Sequence, residues 1–306
     1  MSNNSRNLIV IVGPTGSGKT DLSLDMAEHF HAPIISTDSR QFYRGIPIGT
    51  AQPTDEELQR VEHHFIASHE LTDEFNCGAY EEAAIKRLDE LFQTHSCVVA
   101  VGGSGLYIKA LCEGMDEMPN ADTELRTRLA ERLQTEGLDI LAAELQQLDP
   151  LYYDVVDRRN PARVMRALEV CLTTGKPYSS LRVGEKHQRP FNIIKIGVDM
   201  EREILYKRID DRVDKMIDMG LEQEARKVYP LRHLNSLQTV GYREFFDYFD
   251  AKITRDEAIE LIKRNSRRYA KRQMTWFRRD EQIAWFEPNN RKGIIEYIES
   301  KICTLK

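Results

Sequence analysis

The sequence predicts an α/β protein, a parallel sheet flanked by helices and interrupted by a mostly helical insertion. Three observations carry this. Short apolar, β-branched runs at residues 8–12, 32–38, 97–101 and 192–198 alternate with segments of helical spacing, the pattern from which parallel sheets are built. Two of these runs pass directly into a glycine-rich turn and then a helix. From about Met115 to Arg189 strand signals vanish and leucines recur at helical spacing. The expected organisation is therefore a core of residues 1–114 and 190–306 with an inserted helical subdomain at 115–189.

The first strand enters Gly13-Pro14-Thr15-Gly16-Ser17-Gly18-Lys19-Thr20, which reads GxxxxGK[ST]. Glycines let backbone N–H groups close around phosphate oxygens, Lys19 supplies a point charge, and the Thr20 hydroxyl can hold Mg²⁺. A helix leaves the loop, so its N-terminus also points at the anion. The fold expectation sharpens to a P-loop NTPase-like sheet holding a di- or triphosphate.

Taken in order, the second strand ends near Asp38, followed by the polar Ser39, Arg40 and Gln41. Ligands of open α/β sheets bind beyond the carboxyl ends of strands, so Asp38 faces the phosphate crevice, with a turn cap as the alternative. Thr54 to Glu57 form a capping box. His63, His64 and His69 cluster, but no carboxylate or cysteine sits at ligand spacing, so an exposed helix end explains them better than a metal site. The strand at 97–101 runs into Gly102-Gly103-Ser104-Gly105, repeating the strand–turn–helix geometry and bringing the Ser104 hydroxyl to the same edge. Within the insertion, Asn160-Pro161 opens a helix that Gly175 closes, with Val164, Leu168, Cys171 and Leu172 as its buried stripe and Arg163 and Arg166 pointing away. A long helix from about Met200 to Met219 carries Arg208, Arg212 and Lys215 in a row. Such a row is ordinarily solvated, yet an arginine here can reach the crevice and pair bidentately with phosphate. The segment from Thr254 to Arg279 opens with another capping box and has no glycine or proline. Between Leu261 and Arg279 it holds eight basic residues and no acidic one. On a helical wheel Arg264, Arg267, Arg268, Lys271, Arg272, Arg278 and Arg279 fall within roughly 140°. A single-sign stripe of this kind favours a phosphate-backbone partner over a solvated face. A closing strand is expected at 283–286.

Bulk properties fit these readings. A net charge of −6 over 306 residues argues against general polyanion binding, so a nucleic-acid partner must meet a local basic surface. Five scattered cysteines without CxxC spacing suit a reducing cytosol and core filling. No run reaches the length of a signal-peptide core or a membrane span, so a cytoplasmic protein without membrane contact is expected, and nothing demands more than a monomer. The inventory implies one substrate with a diphosphate and one polynucleotide. A P-loop nucleotide kinase using Asp38 to orient an acceptor hydroxyl, and an RNA-binding NTPase, remain alternatives.

The phosphate loop, Thr37-Asp38-Ser39-Arg40-Gln41-Phe42-Tyr43-Arg44-Gly45, Ile48-Gly49-Thr50-Ala51-Gln52-Pro53, Gly102 to Tyr107, Asn160 to Val170, Thr239 to Glu244 and Tyr269 to Arg278, in that order, resemble the bacterial tRNA dimethylallyltransferases (tRNA isopentenyltransferases) over nearly the whole chain. The resemblance implies transfer of a dimethylallyl group from dimethylallyl diphosphate to N6 of adenosine 37, in the tRNA anticodon stem-loop, with release of diphosphate and Mg²⁺ as cofactor. It implies that Asp38 is the general base and that Lys19, Arg212 and Thr20 with Mg²⁺ hold the departing diphosphate. Ser104 stands where the family usually has threonine and keeps the hydroxyl. Contact with tRNA is implied for Asp38, Ser39, Arg40, Gln41, Ser104, Arg126, Arg158, Arg159, Arg163, Arg166, Gly241, Tyr242, Arg243, Arg268, Lys271, Arg272 and Gln273. An aspartate beside a phosphate loop can also hold Mg²⁺ through water, which leaves a second role open for Asp38.

Overall fold

The computed structural model describes residues 6–304 except 117, 120 and 121. The chain divides into two compact units, one running to Glu113 and resuming at Gln188, the other spanning Gly114–His187. In chain order the elements of the first part are β1 (Asn7–Val12), α1 (Lys19–Phe30), β2 (Ile34–Ser36), α2 (Pro47–Thr50), α3 (Asp55–Arg60), β3 (His63–His64), α4 (Cys77–Leu91), β4 (Cys97–Gly102) and α5 (Gly105–Glu113). The second unit holds α6 (Thr123–Thr135), α7 (Leu138–Leu148), α8 (Pro150–Val155), α9 (Pro161–Thr174) and α10 (Tyr178–Leu181). The first unit resumes with β5 (Asn192–Val198), α11 (Arg202–Asp218), α12 (Leu221–Val228), α13 (Tyr242–Phe249), α14 (Arg255–Phe277), β6 (Ala284–Phe286) and α15 (Arg291–Thr304).

Six strands form one sheet in the order β3-β2-β4-β1-β5-β6, and every pairing is parallel. The α/β expectation holds. Its physical basis is clearest in β1, which is buried along its whole length because helices cover both faces of the sheet. Leu8, Val10 and Val12 join one core with residues of α4, α5 and α14, whereas Ile9 and Ile11 join another with Leu22 and Met26 of α1 and Ile294 and Ile298 of α15. The chain leaves β1 through α1 on one face and β4 through α5 on the other, and β1 and β4 are neighbours. A crevice opens between diverging connections of this kind, at the carboxyl ends of the strands.

The second unit has its own core, built on Leu125, Leu129, Leu141, Leu145, Val164 and Leu168. Helix α9 begins and ends as its sequence dictates: the Asn160 side chain caps Arg163 N–H, Pro161 is the first helical residue, and Gly175 closes it at φ 67°. Leu172 departs from the expected stripe and is exposed at 42%, while Ala167 and Val170 are buried in its place. The histidines also differ from expectation, since His63 and His64 form an edge strand on β2 and His69 stacks on Phe75 with ring centroids 3.8 Å apart. Burial lowers the pKa of all three, which favours neutral rings packed against protein. All five cysteines are unpaired, with Cys97, Cys112 and Cys171 buried.

Candidate active site

At the carboxyl edge of the sheet the first unit encloses a cavity of about 470 Å³. The phosphate loop supplies one wall. Gly16 and Gly18 adopt φ 80° and 87°, left-handed values that a side chain would strain, and Gly18 is the residue from which α1 starts. A Cβ at Gly16 would stand 2.9 Å from Ile209, so α11 lies directly on the loop and Arg212, one turn further along, enters the cavity. Its guanidinium reaches toward the Thr15 hydroxyl at 3.5 Å. Lys19 Nζ donates to the Pro14 carbonyl at 2.6 Å. Burial first, and then the charge of Arg212, push the Lys19 pKa down to about 7, with Asp38 opposing the shift. Burial likewise lowers Arg212, against the opposing charge of Asp38. Thr20 lines the same wall and is exposed.

Asp38 faces these cations from the end of β2. Its Oδ1 accepts the Arg40 N–H at 3.0 Å, forming a local turn, so the turn-cap reading is correct for one carboxylate oxygen. Among the described residues Oδ2 accepts no hydrogen bond. The glycine turn after β4 explains how Asp38 gets there. A Cβ at Gly102 would lie 2.2 Å from the Thr37 hydroxyl and 2.9 Å from Asp38 N, so only glycine lets the β2 extension cross so closely. Ser104, 8% exposed, accepts the Ser39 N–H at 3.0 Å and donates to the Ser39 hydroxyl at 3.1 Å. It ties the Asp38 segment to the β4 turn.

Helix α14 closes the other side. Arg268, Tyr269, Arg272 and Gln273 line the cavity together with Ser39, Arg40, Gln41, Gly241 and Arg243. Gln273, expected at a tRNA surface, is instead buried: its Oε1 accepts Thr15 N–H and its Nε2 donates to the Gly103 carbonyl, both at 2.9 Å. One carboxamide therefore ties α14 to both glycine turns, and a Cβ at Gly103 would collide with it at 2.2 Å. Tyr242 departs from expectation in the same way. It is fully buried and its hydroxyl donates to Glu224 at 2.5 Å, while Glu224 also accepts the N–H groups of Ile48 and Gly49. Gly241, whose N–H donates to Glu244 at 2.8 Å, starts α13. Gln41 spends its amide on the Ala51 carbonyl at 2.7 Å, and Arg40 donates to the Asn235 carbonyl at 2.7 Å.

The basic stripe of α14 divides. Arg267 pairs with Asp210 and Lys263 with Asp214, both carboxylates on α11, and Arg278 pairs with Asp199 and lies over the Trp285 ring. These cations hold the fold together. Arg264, Arg268, Lys271, Arg272 and Arg279 are exposed, and the structure gives none of them an ion pair among the described residues. In the second unit Arg158, Arg159 and Arg163 are exposed, whereas Arg126 and Arg166 grip opposite oxygens of Glu169 at 2.9 and 3.1 Å. Glu169 is only 3% exposed.

Sequence reasoning named Tyr269 only within the Tyr269–Arg278 block and gave it no role in the site. Its phenol stands near Asp38 and Ser104, and burial followed by the Asp38 charge pushes its pKa up to about 12. Its place at the head of that block was the signal in the sequence. Among the described residues, no three His, Cys, Asp or Glu side chains gather as a metal cage.

A crevice that can hold a phosphorylated leaving group at one end and offer a carboxylate to an acceptor at the other does the work of a P-loop transferase, and the protein is an enzyme of that class. The IPP transferase family model matches residues 41–280. The chain is 52% identical over 293 residues to tRNA dimethylallyltransferase 1 of Phocaeicola vulgatus, spanning 96% of this chain and 98% of the relative. Its structure resembles the full-length tRNA isopentenylpyrophosphate transferase of Bacillus halodurans at TM-score 0.72 and 37% identity, covering 97% of each chain. It also resembles a eukaryotic dimethylallyltransferase described as acting on tRNA, at TM-score 0.79 and 26% identity over 94% of this chain and 75% of that one. This chain belongs to the IPP transferase family.

Proposed function

We propose that this protein transfers a dimethylallyl group from dimethylallyl diphosphate to N6 of adenosine 37 in the anticodon loop of tRNA, releasing diphosphate. The observation that carries this reading is the cavity in which Lys19, Thr20 and Arg212 face Asp38, with Arg268 and Arg272 along its other side. The diphosphate lies against the phosphate loop and Arg212. The adenine enters beside Asp38.

An exocyclic adenine amine is a weak nucleophile because its lone pair is delocalised into the ring. As N6 bonds to the allylic carbon, the carbon–oxygen bond of the diphosphate breaks and the N6 proton passes to the carboxylate of Asp38. Such general-base help is worth about 10²–10⁴ in rate. Negative charge grows on the leaving oxygens, where Lys19, Arg212 and the loop N–H groups stand. A Lys19 pKa of about 7 rises once the anion is beside it, so the ammonium is stabilised where charge develops. Tyr269 stays protonated and can donate beside Asp38. Mg²⁺ fits the exposed Thr20 hydroxyl next to diphosphate, since this ion takes few protein ligands and completes its shell with phosphate and water. When bound it neutralises diphosphate charge.

The acceptor must leave its stack to reach the cavity, which costs least in a single-stranded loop. The exposed Arg268, Lys271 and Arg272 supply phosphate contacts near the cavity, and Arg158, Arg159 and Arg163 supply others on the helical unit. The test is to incubate protein with tRNA and either labelled dimethylallyl diphosphate or ATP labelled in its terminal phosphate. Label is expected in tRNA from the allylic diphosphate alone; transfer from ATP alone would mean a kinase.

A further inference from the structure

Trp276 is the one large aromatic that α14 leaves in water, 40% exposed among the described residues. It is nonetheless seated. A Cβ on Gly105 would come within 2.3 Å of its Cδ1 and Nε1, so the indole packs against a backbone that has been cleared for it. Gly105 does not adopt a positive φ, so room for this ring is the steric reason for a glycine there. Along α14 Arg268, Arg272 and Trp276 follow at intervals of four and share one side of the helix, and the exposed Arg279 lies in the turn just after it. Arg268 and Arg272 line the cavity and Trp276 stands one turn beyond them. Exposed arginines on both sides of a fixed, solvent-facing indole match a segment that carries phosphates and flat rings together.

We propose that Trp276 is a stacking platform for the nucleobase next to the acceptor, holding the single-stranded loop in register while the acceptor base sits in the cavity. This deepens the tRNA reading above and rests on it. A base turned into the cavity leaves its neighbour without a stacking partner, and the exposed indole replaces that partner.

The test measures equilibrium binding and prenyl transfer with an RNA hairpin whose loop carries the acceptor adenosine, at several salt concentrations. The proteins are wild type, Trp276→Ala, Trp276→Leu, Trp276→Phe and Arg272→Ala. Loss of stacking in Trp276→Ala and Trp276→Leu should weaken hairpin binding about 5- to 150-fold, with the salt slope unchanged because no charge is lost. Trp276→Phe should recover most of that loss, and Arg272→Ala should lower the slope by about 1. Allylic diphosphate binding, unaltered in each Trp276 variant, reports that the fold is intact, and Leu keeps the apolar cover should Ala fail that check. Trp276→Leu binding like wild type, or changing the salt slope, overturns the proposal while wild-type prenyl transfer leaves the tRNA reading standing. Wild type that neither binds nor prenylates the hairpin overturns both.

Discussion

Lys19 makes diphosphate binding depend on pH in a direction that the site itself fixes. In the free protein its pKa is about 7, lowered from 10.5 chiefly by burial and next by Arg212. An allylic diphosphate beside it favours the ammonium, so the bound pKa lies higher, and binding takes up a proton wherever free Lys19 is partly neutral. The binding-competent fraction is about one-half at pH 7, about one-tenth at pH 8 and about one-hundredth at pH 9, and apparent affinity scales with that fraction. Affinity for an unreactive allylic diphosphate analogue should therefore fall about fivefold from pH 7 to 8 and about fiftyfold by pH 9, until the bound pKa is reached. Titration calorimetry in two buffers of different ionisation enthalpy measures affinity and proton uptake together. Lys19→Met should bind more weakly and lose both the slope and the uptake. A flat profile between pH 7 and 9, or proton release, would refute the reasoning.

Asp38→Asn keeps the turn with Arg40 but cannot accept a proton, so turnover should drop by about 10²–10⁴ while analogue affinity is retained; lost Mg²⁺-dependent binding would instead make Asp38 a metal-side residue. Arg212→Ala should lower turnover by about 10²–10³, as loss of one donor to a leaving anion does, and an unchanged rate would return it to the solvated row. Gln273→Leu leaves Thr15 N–H and the Gly103 carbonyl without their partner, at about 1–3 kcal/mol each; urea unfolding should report the loss, and unchanged stability would mean the clamp is dispensable. Arg268→Ala combined with Arg272→Ala should weaken tRNA binding and reduce its salt slope by about 2, and an unaltered slope would remove them from the phosphate contacts.

The sheet was legible because its central strands β1, β2 and β4 are buried on both faces and so read as unbroken apolar runs, and α9 because its asparagine, proline and glycine each sit where a helix end needs them. Residues 63–64 were not legible as a strand: two histidines on an edge carry no apolar run, and only pairing with Ile34 and Ile35 makes them one. The glycine turn at 102–105 was read for its N–H groups, whereas its glycines also clear space for Thr37, Gln273 and Trp276, neighbours distant in sequence. The helical wheel found the basic face of α14 but could not see Asp210, Asp214 and Asp199 waiting on other segments to neutralise part of it. Lys19, Asp38 and Arg212 were found because a motif, a strand end and a helix row each point to the same edge of the sheet, and they line one cavity.

The most direct measurement is mass analysis of nucleosides from tRNA after a single turnover with dimethylallyl diphosphate, comparing wild type with Asp38→Asn at saturating substrates. N6-dimethylallyladenosine is expected at a single anticodon-loop position with wild type, and little or none with Asp38→Asn although it holds both substrates. Equal product from the two proteins, or an unmodified tRNA with wild type, would contradict it.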